Sequence, residues 1–329
     1  MKSILVHKFE DIISVDNLLS AWQEFLKGKR NKPDVQIFQF SLMDNILQLH
    51  EDLKNKTYRH GGYKQFKIND PKPRTIHKAS VRDRLLHHAV YRILYPYFDK
   101  TFISDSFSCR NNKGTHKAIN RFREFSYIVS ENNTKTCWIL KCDIEKFFAS
   151  VEQHALIKIL EKYIIDKDIL NLLREIIFSF KPNGLPLGNL TSQLFANVYL
   201  NKFDQFVKHK LKIRYYIRYA DDFVIFSKGR SHLKNIIFEV SNFLNNKLKL
   251  QIHPHKVFVK TLYSGVDSLG WINFFDHRIL RAKTKNRMLK KIKNNLSREM
   301  LNSYLGMLKH GNSCKIKESI IKSICNSNL

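Results

Sequence analysis

Leu18, Trp22 and Phe25 recur at helical spacing within SVDNLLSAWQEFL, which predicts a helix over residues 14–26 capped by Ser14. A basic break, GKRNK, follows. Leu42, Ile46, Leu49 and Leu53 predict a second helix over Ser41–Lys54, with Ser41 and Asp44 spaced as a capping pair, and residues 80–98 predict a third, rich in Arg and His. The period then shortens. TCWILKCDI (136–144) reads as a strand, as do RYYIRY and FVIFS, which flank a turn holding two carboxylates; a helical stretch from about 152 to 180 lies between them. From Lys283 to Leu308 the helical period returns, with Leu289, Ile292, Leu296, Met300 and Tyr304 on one side and basic residues opposite. Gly and Pro are sparse, and no internal repeat or low-complexity tract breaks the chain, so it reads as one continuous unit of closely packed subdomains.

Charge changes this picture. Against 29 acidic residues stand 57 Lys and Arg, a net charge of +28 over 329 residues of which 43% are hydrophobic. Such an excess, interleaved with aromatics along the whole chain, calls for a polyanionic partner. The window RAKTKNRMLKKIK (281–293) has seven basic residues in thirteen, and a helix apolar on one side and this basic on the other suits a nucleic-acid backbone. No stretch approaches the roughly 18 apolar residues of a membrane span, and the opening MKSILVHKFEDIIS meets charge too early for a signal peptide. An intracellular, cytoplasmic protein with no membrane partner is expected. The five cysteines, Cys109, Cys137, Cys142, Cys314 and Cys325, show neither disulfide pairing nor zinc-ligand spacing, and the 14 histidines match no zinc constellation.

The carboxylates supply the chemistry. Asp143 ends the apolar strand WILKCD, and Asp221 and Asp222 sit at the tip of YYIRYADDFVIFS. Adjacent acids between hydrophobic strands carry a high electrostatic cost unless a cation compensates them. Nucleotidyl transfer uses two Mg²⁺ ions, one activating a primer 3′-hydroxyl and one holding the triphosphate, and two or three aspartates on rigid strand ends are enough to hold them. Mn²⁺ is expected to substitute.

From about residue 70 to 310 the chain resembles reverse transcriptases of the bacterial, non-viral group. KCDIEKFFASV resembles palm motif A, NGLPLGNLTSQLFANVYL motif B, RYADDFVIF motif C, LQIHPHKVFV motif D and SLGW the primer grip, while PKPRTIHKASVRDRLLHHAV and SFSCRNNKGTHKAI are similar to the two fingers motifs. The resemblance implies an α+β right-hand polymerase fold: an N-terminal helical extension (1–70), interleaved fingers and palm (71–278) and a short basic helical thumb (279–329). It implies that Asp143 and Asp221 are the main metal ligands and Asp222 the supporting one. Phe148 matches the aromatic position under the incoming sugar, where its bulk would clash with a 2′-hydroxyl and favour dNTPs. Lys72, Arg74 and Arg82 match fingers positions that meet the triphosphate or template, and Leu187 and Gly188 border the incoming nucleotide. Lys256 matches the motif D lysine, either a general acid for departing pyrophosphate or a phosphate contact. Arg110 and Lys113, around Gly114, match contacts to the template backbone; Gln193, Tyr219, Leu269, Gly270, Lys285 and Lys290 complete the expected template and primer surface.

Motif B departs from the broad pattern. Where the family has a glutamine before the glycine and a Ser-Pro pair beyond it, this chain has Leu187 before Gly188 and then Ser192-Gln193. A branched apolar side chain cannot offer the amide that helps position the incoming nucleotide, so discrimination against mismatches should weaken. The arrangement is similar to that of diversity-generating retroelement enzymes, which implies error-prone copying of a structured template RNA through an RNA–DNA hybrid, alongside a small basic accessory protein. The alternative is an antiphage defence or retron-type enzyme with a dedicated noncoding RNA. About 58 residues follow SLGW, which leaves room for a short thumb but not for a maturase, endonuclease or ribonuclease H domain.

Overall fold

The computed structural model describes residues 4–69, 73–294 and 297–325. After a short α1 (Phe9–Ile13), the Ser14 hydroxyl accepts from Asn17 N–H at 3.2 Å and starts α2 (Val15–Phe25), as the pattern predicted. The basic break is followed by α3 (Pro33–Phe40), which opens on proline, the residue that loses nothing at a helix start. Because α3 runs to Phe40, Ser41 becomes the joint before α4 (Leu42–Lys54). Its backbone (φ −113°, ψ 48°) is not the extended form a cap requires, and the expected capping bond is not made. A hairpin of β1 (Lys64–Ile68) and β2 (Arg74–Lys78) comes next, and Ser80 caps α5 (Val81–Asp99) by accepting from Asp83 N–H. Lys72 lies outside the described residues.

The chain continues through α6 (Thr115–Val129), β3 (Trp138–Asp143), α7 (Phe147–Ser150), α8 (Gln153–Leu160), α9 (Lys167–Phe178) and α10 (Leu190–Gln205). The single helical stretch expected over 152–180 is therefore two. Glu152 caps α8, and Asp166 accepts from Asp168 and Ile169 N–H to start α9 afresh. Then follow β4 (Tyr216–Tyr219), β5 (Asp222–Ser227), α11 (Arg230–Leu248), β6 (Phe258–Thr261), and the short strands β7 (Val266–Ser268), β8 (Trp271–Asn273) and β9 (Arg278–Leu280). The basic helix expected over 283–308 is also divided, into α12 (Ala282–Asn294) and α13 (Arg298–Leu308), the latter capped by Ser297. Leu296, expected on its apolar face, lies outside the described residues. The last helix is α14 (Cys314–Cys325).

Two units emerge, interleaved along the chain. The first comprises residues up to Ser104, Ile144–Lys212 and Ser241–Ile252. It is built largely of helices, with α2 and α10 packed on α5 and Trp22, Phe25, Leu85, Leu86 and Phe98 fully buried. The second comprises Asp105–Asp143, Ile213–Val240 and the chain from His253. Its four-stranded antiparallel sheet has the order β4-β5-β3-β6 and packs α6 through Phe122, Phe125, Ile139, Val224 and Phe226. A three-stranded sheet, β7-β8-β9, joins α12–α14 in another cluster around Trp271, Leu280, Met288, Ile292 and Leu308. No described helix is long and apolar enough to cross a membrane.

Candidate active site

Antiparallel pairing places Tyr219 opposite Asp222 in β4–β5, leaving Ala220 and Asp221 as the turn. Ala220 takes a left-handed conformation (φ 52°), which a non-glycine residue holds only when its surroundings insist. Arg218 supplies that insistence. Fully buried, it donates from Nη1 to Ala220 O (3.1 Å) and from Nη2 to Ser106 Oγ (3.1 Å). The register of β3 on β5 sets Asp143 directly opposite Asp222, so two carboxylates meet across adjacent strands.

That meeting has an electrostatic signature. Burial, the charges of Asp143 and Asp221 and a hydrogen bond with Asp143 push the Asp222 carboxyl up to about 6, with Lys141 pulling the other way. Two lysines answer the crowding. Lys256, in the short turn Pro254–Lys256, places Nζ 2.8 Å from Asp143 Oδ1, and Lys141 places its own 3.9 Å from Asp222 Oδ1 while donating to Asp267 O at 3.0 Å. Neither pairing is visible in the motifs. Lys141 could have been suspected, because residues two apart on a strand share a face and it lies two before Asp143; Arg218 could have been found as a lone cation inside an apolar strand.

A divalent cation suits this donor set. Two carboxylates close enough to share a proton offer hard oxygen ligands with excess negative charge, and Mg²⁺ commonly takes one or two protein carboxylates with substrate phosphates and water completing its shell. Among the described residues no group of three or more His, Cys, Asp or Glu side chains is arranged to enclose an ion; Asp143 and Asp222 face each other across the strands, and Asp221 at the turn adds its charge to theirs.

Other expected residues gather in the same unit. Tyr219 Oη lies 2.9 Å from Thr115 Oγ1 in the first turn of α6, and Gly114, whose φ of 97° favours glycine, donates to Phe107 O. Arg110 donates to Ser106 O, and Lys113 stands over the Phe107 ring. Leu269 (φ 51°) and Gly270 (φ 88°) make the β7–β8 turn, held by Arg281 N–H on Gly270 O. Lys285 and Lys290 are exposed on α12.

A second group lies in the helical unit. Leu187 O accepts from His77 N–H of β2 at 2.9 Å, and a side chain on Gly188 (φ 111°) would run into Ile76. The Leu187–Gly188 step is thus pinned to the hairpin that carries Arg74, an exposed residue. Phe147, not Phe148, is the buried member of the aromatic pair; Phe148 is half-buried, its carbonyl accepting from Leu185 N–H at 2.7 Å. Arg82 is engaged within the protein, 2.5 Å from Asp52 and over the Tyr58 ring. Gln193 lies half-buried in the first turn of α10.

Residues 67–273 match the family model described as reverse transcriptase (RNA-dependent DNA polymerase). Protein YkfC of Escherichia coli is 24% identical over 255 residues, covering 65% of this chain and 65% of that protein. The group II intron-encoded protein LtrA of Lactococcus lactis is 22% identical over 319 residues, covering 74% of this chain and 51% of its own length. The chain thus spans less than two thirds of the curated relatives it matches. Among solved structures, telomerase from Candida albicans in complex with a fragment of telomeric RNA superposes with a TM-score of 0.52 at 13% identity, covering 73% of this chain and 51% of that one, a likeness of fold. With its ordered motifs and a right-hand polymerase fold of helices and antiparallel sheets, the chain belongs to the reverse transcriptase family.

Proposed function

We propose that the chain is an RNA-directed DNA polymerase that makes cDNA by two-metal-ion nucleotidyl transfer. The observation that carries the reading is the register of β3 on β5, which sets Asp143 opposite Asp222 in a carboxylate cluster that a cation would relieve. When bound, two Mg²⁺ ions would activate the primer hydroxyl and neutralise the triphosphate. Asp143, Asp221 and Asp222 would hold them. Lys256, beside Asp143, would give a proton or a positive charge to departing pyrophosphate. Phe148, half-buried and backed by Gly184, would exclude a 2′-hydroxyl, and Arg74 would meet the triphosphate. Within the chain we assign 1–70 to a helical extension, 71–278 to fingers and palm and 279–329 to the thumb. Primer extension on an RNA template with dNTPs and Mg²⁺ tests the reading: a wild-type protein that extends no primer would sink it.

The finer reading is low-fidelity copying of a structured RNA in a diversity-generating retroelement, with a small basic accessory protein. Support comes from Leu187, whose side chain offers no amide while its carbonyl binds the β1–β2 hairpin. Errors at template adenines in cDNA from a defined RNA would support it; faithful copying there would favour the defence or retron-type alternative.

A further inference from the structure

In the unit that carries the aspartates, a cavity of about 430 Å³ opens among α6, the β8–β9 turn and the α13–α14 connection. That volume suits a nucleotide-sized ligand. Its walls are fixed. Gly311 lies so close to Trp271 and to the Arg278 carbonyl that no Cβ would fit, Asn312 N–H donates to Arg278 O at 2.8 Å, and Phe274 N–H closes the β8–β9 turn on His277 O at 2.8 Å.

The lining is cationic beyond its own needs. Arg278 is anchored by Ile119 O and the Asn120 side chain, and burial together with Arg123 holds its guanidinium below the usual range. His310 is lowered by burial, by His116 stacked on it at 3.8 Å, and by Arg278. Arg123 and Lys309 are exposed and form no ion pair among the described residues. The one acid of the lining, Asp276, lies 2.6 Å from His277 Nδ1. Cations that repel one another around an open space are relieved by an anion.

An aromatic platform stands at the same place. Phe275 lines the cavity, is 42% exposed and stacks on Tyr263, itself 78% exposed, with centroids 5.7 Å apart and planes 14° from parallel. Exposed aromatic faces beside uncompensated cations are the combination that takes up unpaired bases and their phosphates. Duplex nucleic acid, whose bases are already stacked, has no use for the platform. The Leu269–Gly270 turn lies at the other end of β8, about 10 Å away along a strand of three residues.

We propose that this cavity anchors an unpaired nucleotide of a single-stranded RNA segment, its phosphate toward Arg123 and Lys309 and its base on Phe275 and Tyr263. Binding is the readout, so the proposal stands or falls independently of polymerase activity. Fluorescence anisotropy in EDTA would compare a labelled unstructured RNA of about eight nucleotides with a blunt RNA duplex. Phe275→Leu with Tyr263→Leu, and separately Arg123→Gln with Lys309→Gln, should each weaken the single strand about tenfold and the duplex less than about twofold. The charge-matched pair Lys162→Gln with Lys167→Gln should change both by less than about twofold. Competition by adenosine monophosphate shows whether a free nucleotide suffices or a strand is needed. Equal losses for strand and duplex, or equal losses in the charge-matched control, would overturn the proposal. Photocross-linking of a 4-thiouridine RNA to the unaltered protein needs no variant: adducts should map to residues 263–277 or 309–312, and adducts only elsewhere would overturn it.

Discussion

Lys256 Nζ lies 2.8 Å from Oδ1 of Asp143, so the motif D lysine and the motif A aspartate, 113 residues apart, form one charge pair. On the proposed function, that ammonium would act on the departing pyrophosphate. Lys256→Gln should lower the rate of single-nucleotide incorporation by about 10²-fold or more with a smaller change in dNTP affinity. Lys256→Arg, which keeps the charge but holds its proton too tightly to transfer it, separates the two roles. Near-complete rescue in rapid-quench assays would assign a counter-ion, and little rescue a proton donor.

Asp222 faces two further carboxylates from a half-buried position. Asp222→Asn should cost about 10³-fold in primer extension, equivalent to about 4 kcal/mol of transition-state stabilisation. In EDTA the same variant should melt higher than wild type, by about 1–2 °C for each kcal/mol of repulsion relieved. Calorimetry with and without Mg²⁺ checks both halves, since added metal should stabilise the wild type more than the variant.

Leu187→Gln supplies an amide where the proposed function sets the incoming nucleotide, and leaves in place the carbonyl that His77 uses. Misincorporation opposite template adenines should fall about tenfold, in line with what one well-placed polar contact adds to discrimination. Sequencing of cDNA made on one RNA template measures it; an unchanged error spectrum would sink the proposed link between Leu187 and fidelity.

Arg74 and Arg82 should separate. Arg74 is exposed, and as the proposed triphosphate contact its change Arg74→Ala should raise the KM for dNTP by about tenfold and leave the melting temperature unchanged. Arg82→Ala breaks the pair with Asp52 and the contact with Tyr58, and should appear in thermal melts.

Acid should loosen the helical unit. Burial, then Lys29 and Arg84, lowers His88 to about 4, and burial with neighbouring His60 lowers the wholly enclosed His87 well below its ordinary value. Both are neutral when folded, so between about pH 6.5 and 4 the unfolded chain binds more protons and stability falls as pH falls, by at most about 1.4 kcal/mol per pH unit for each. Melts across that range should show the slope, and His88→Leu should flatten it.

Much of this was legible in one dimension because its cause is local. The Ser14 cap, the α5 start at Ser80 and the strands around Asp143, Asp221 and Asp222 follow from hydrogen-bonding groups and periods a few residues long. Where a local signal met a competing neighbour, reading failed. Ser41 carries a cap's side chain but not its backbone, because α3 ends against it, and the 152–180 stretch broke where Asp166 outbid continuation.

The amino-acid sequence alone determined which residues could do the chemistry: acids at strand ends, an aromatic beside them, a basic surface, an apolar residue where an amide is usual. Only the tertiary structure decided which charges meet. Lys256 on Asp143, Lys141 near Asp222 and the buried Arg218 on Ser106 depend on strand register and on approaches between distant segments. A one-residue slip of β5 on β3 would turn Asp222 to the opposite face and dissolve the site, while leaving every motif in place.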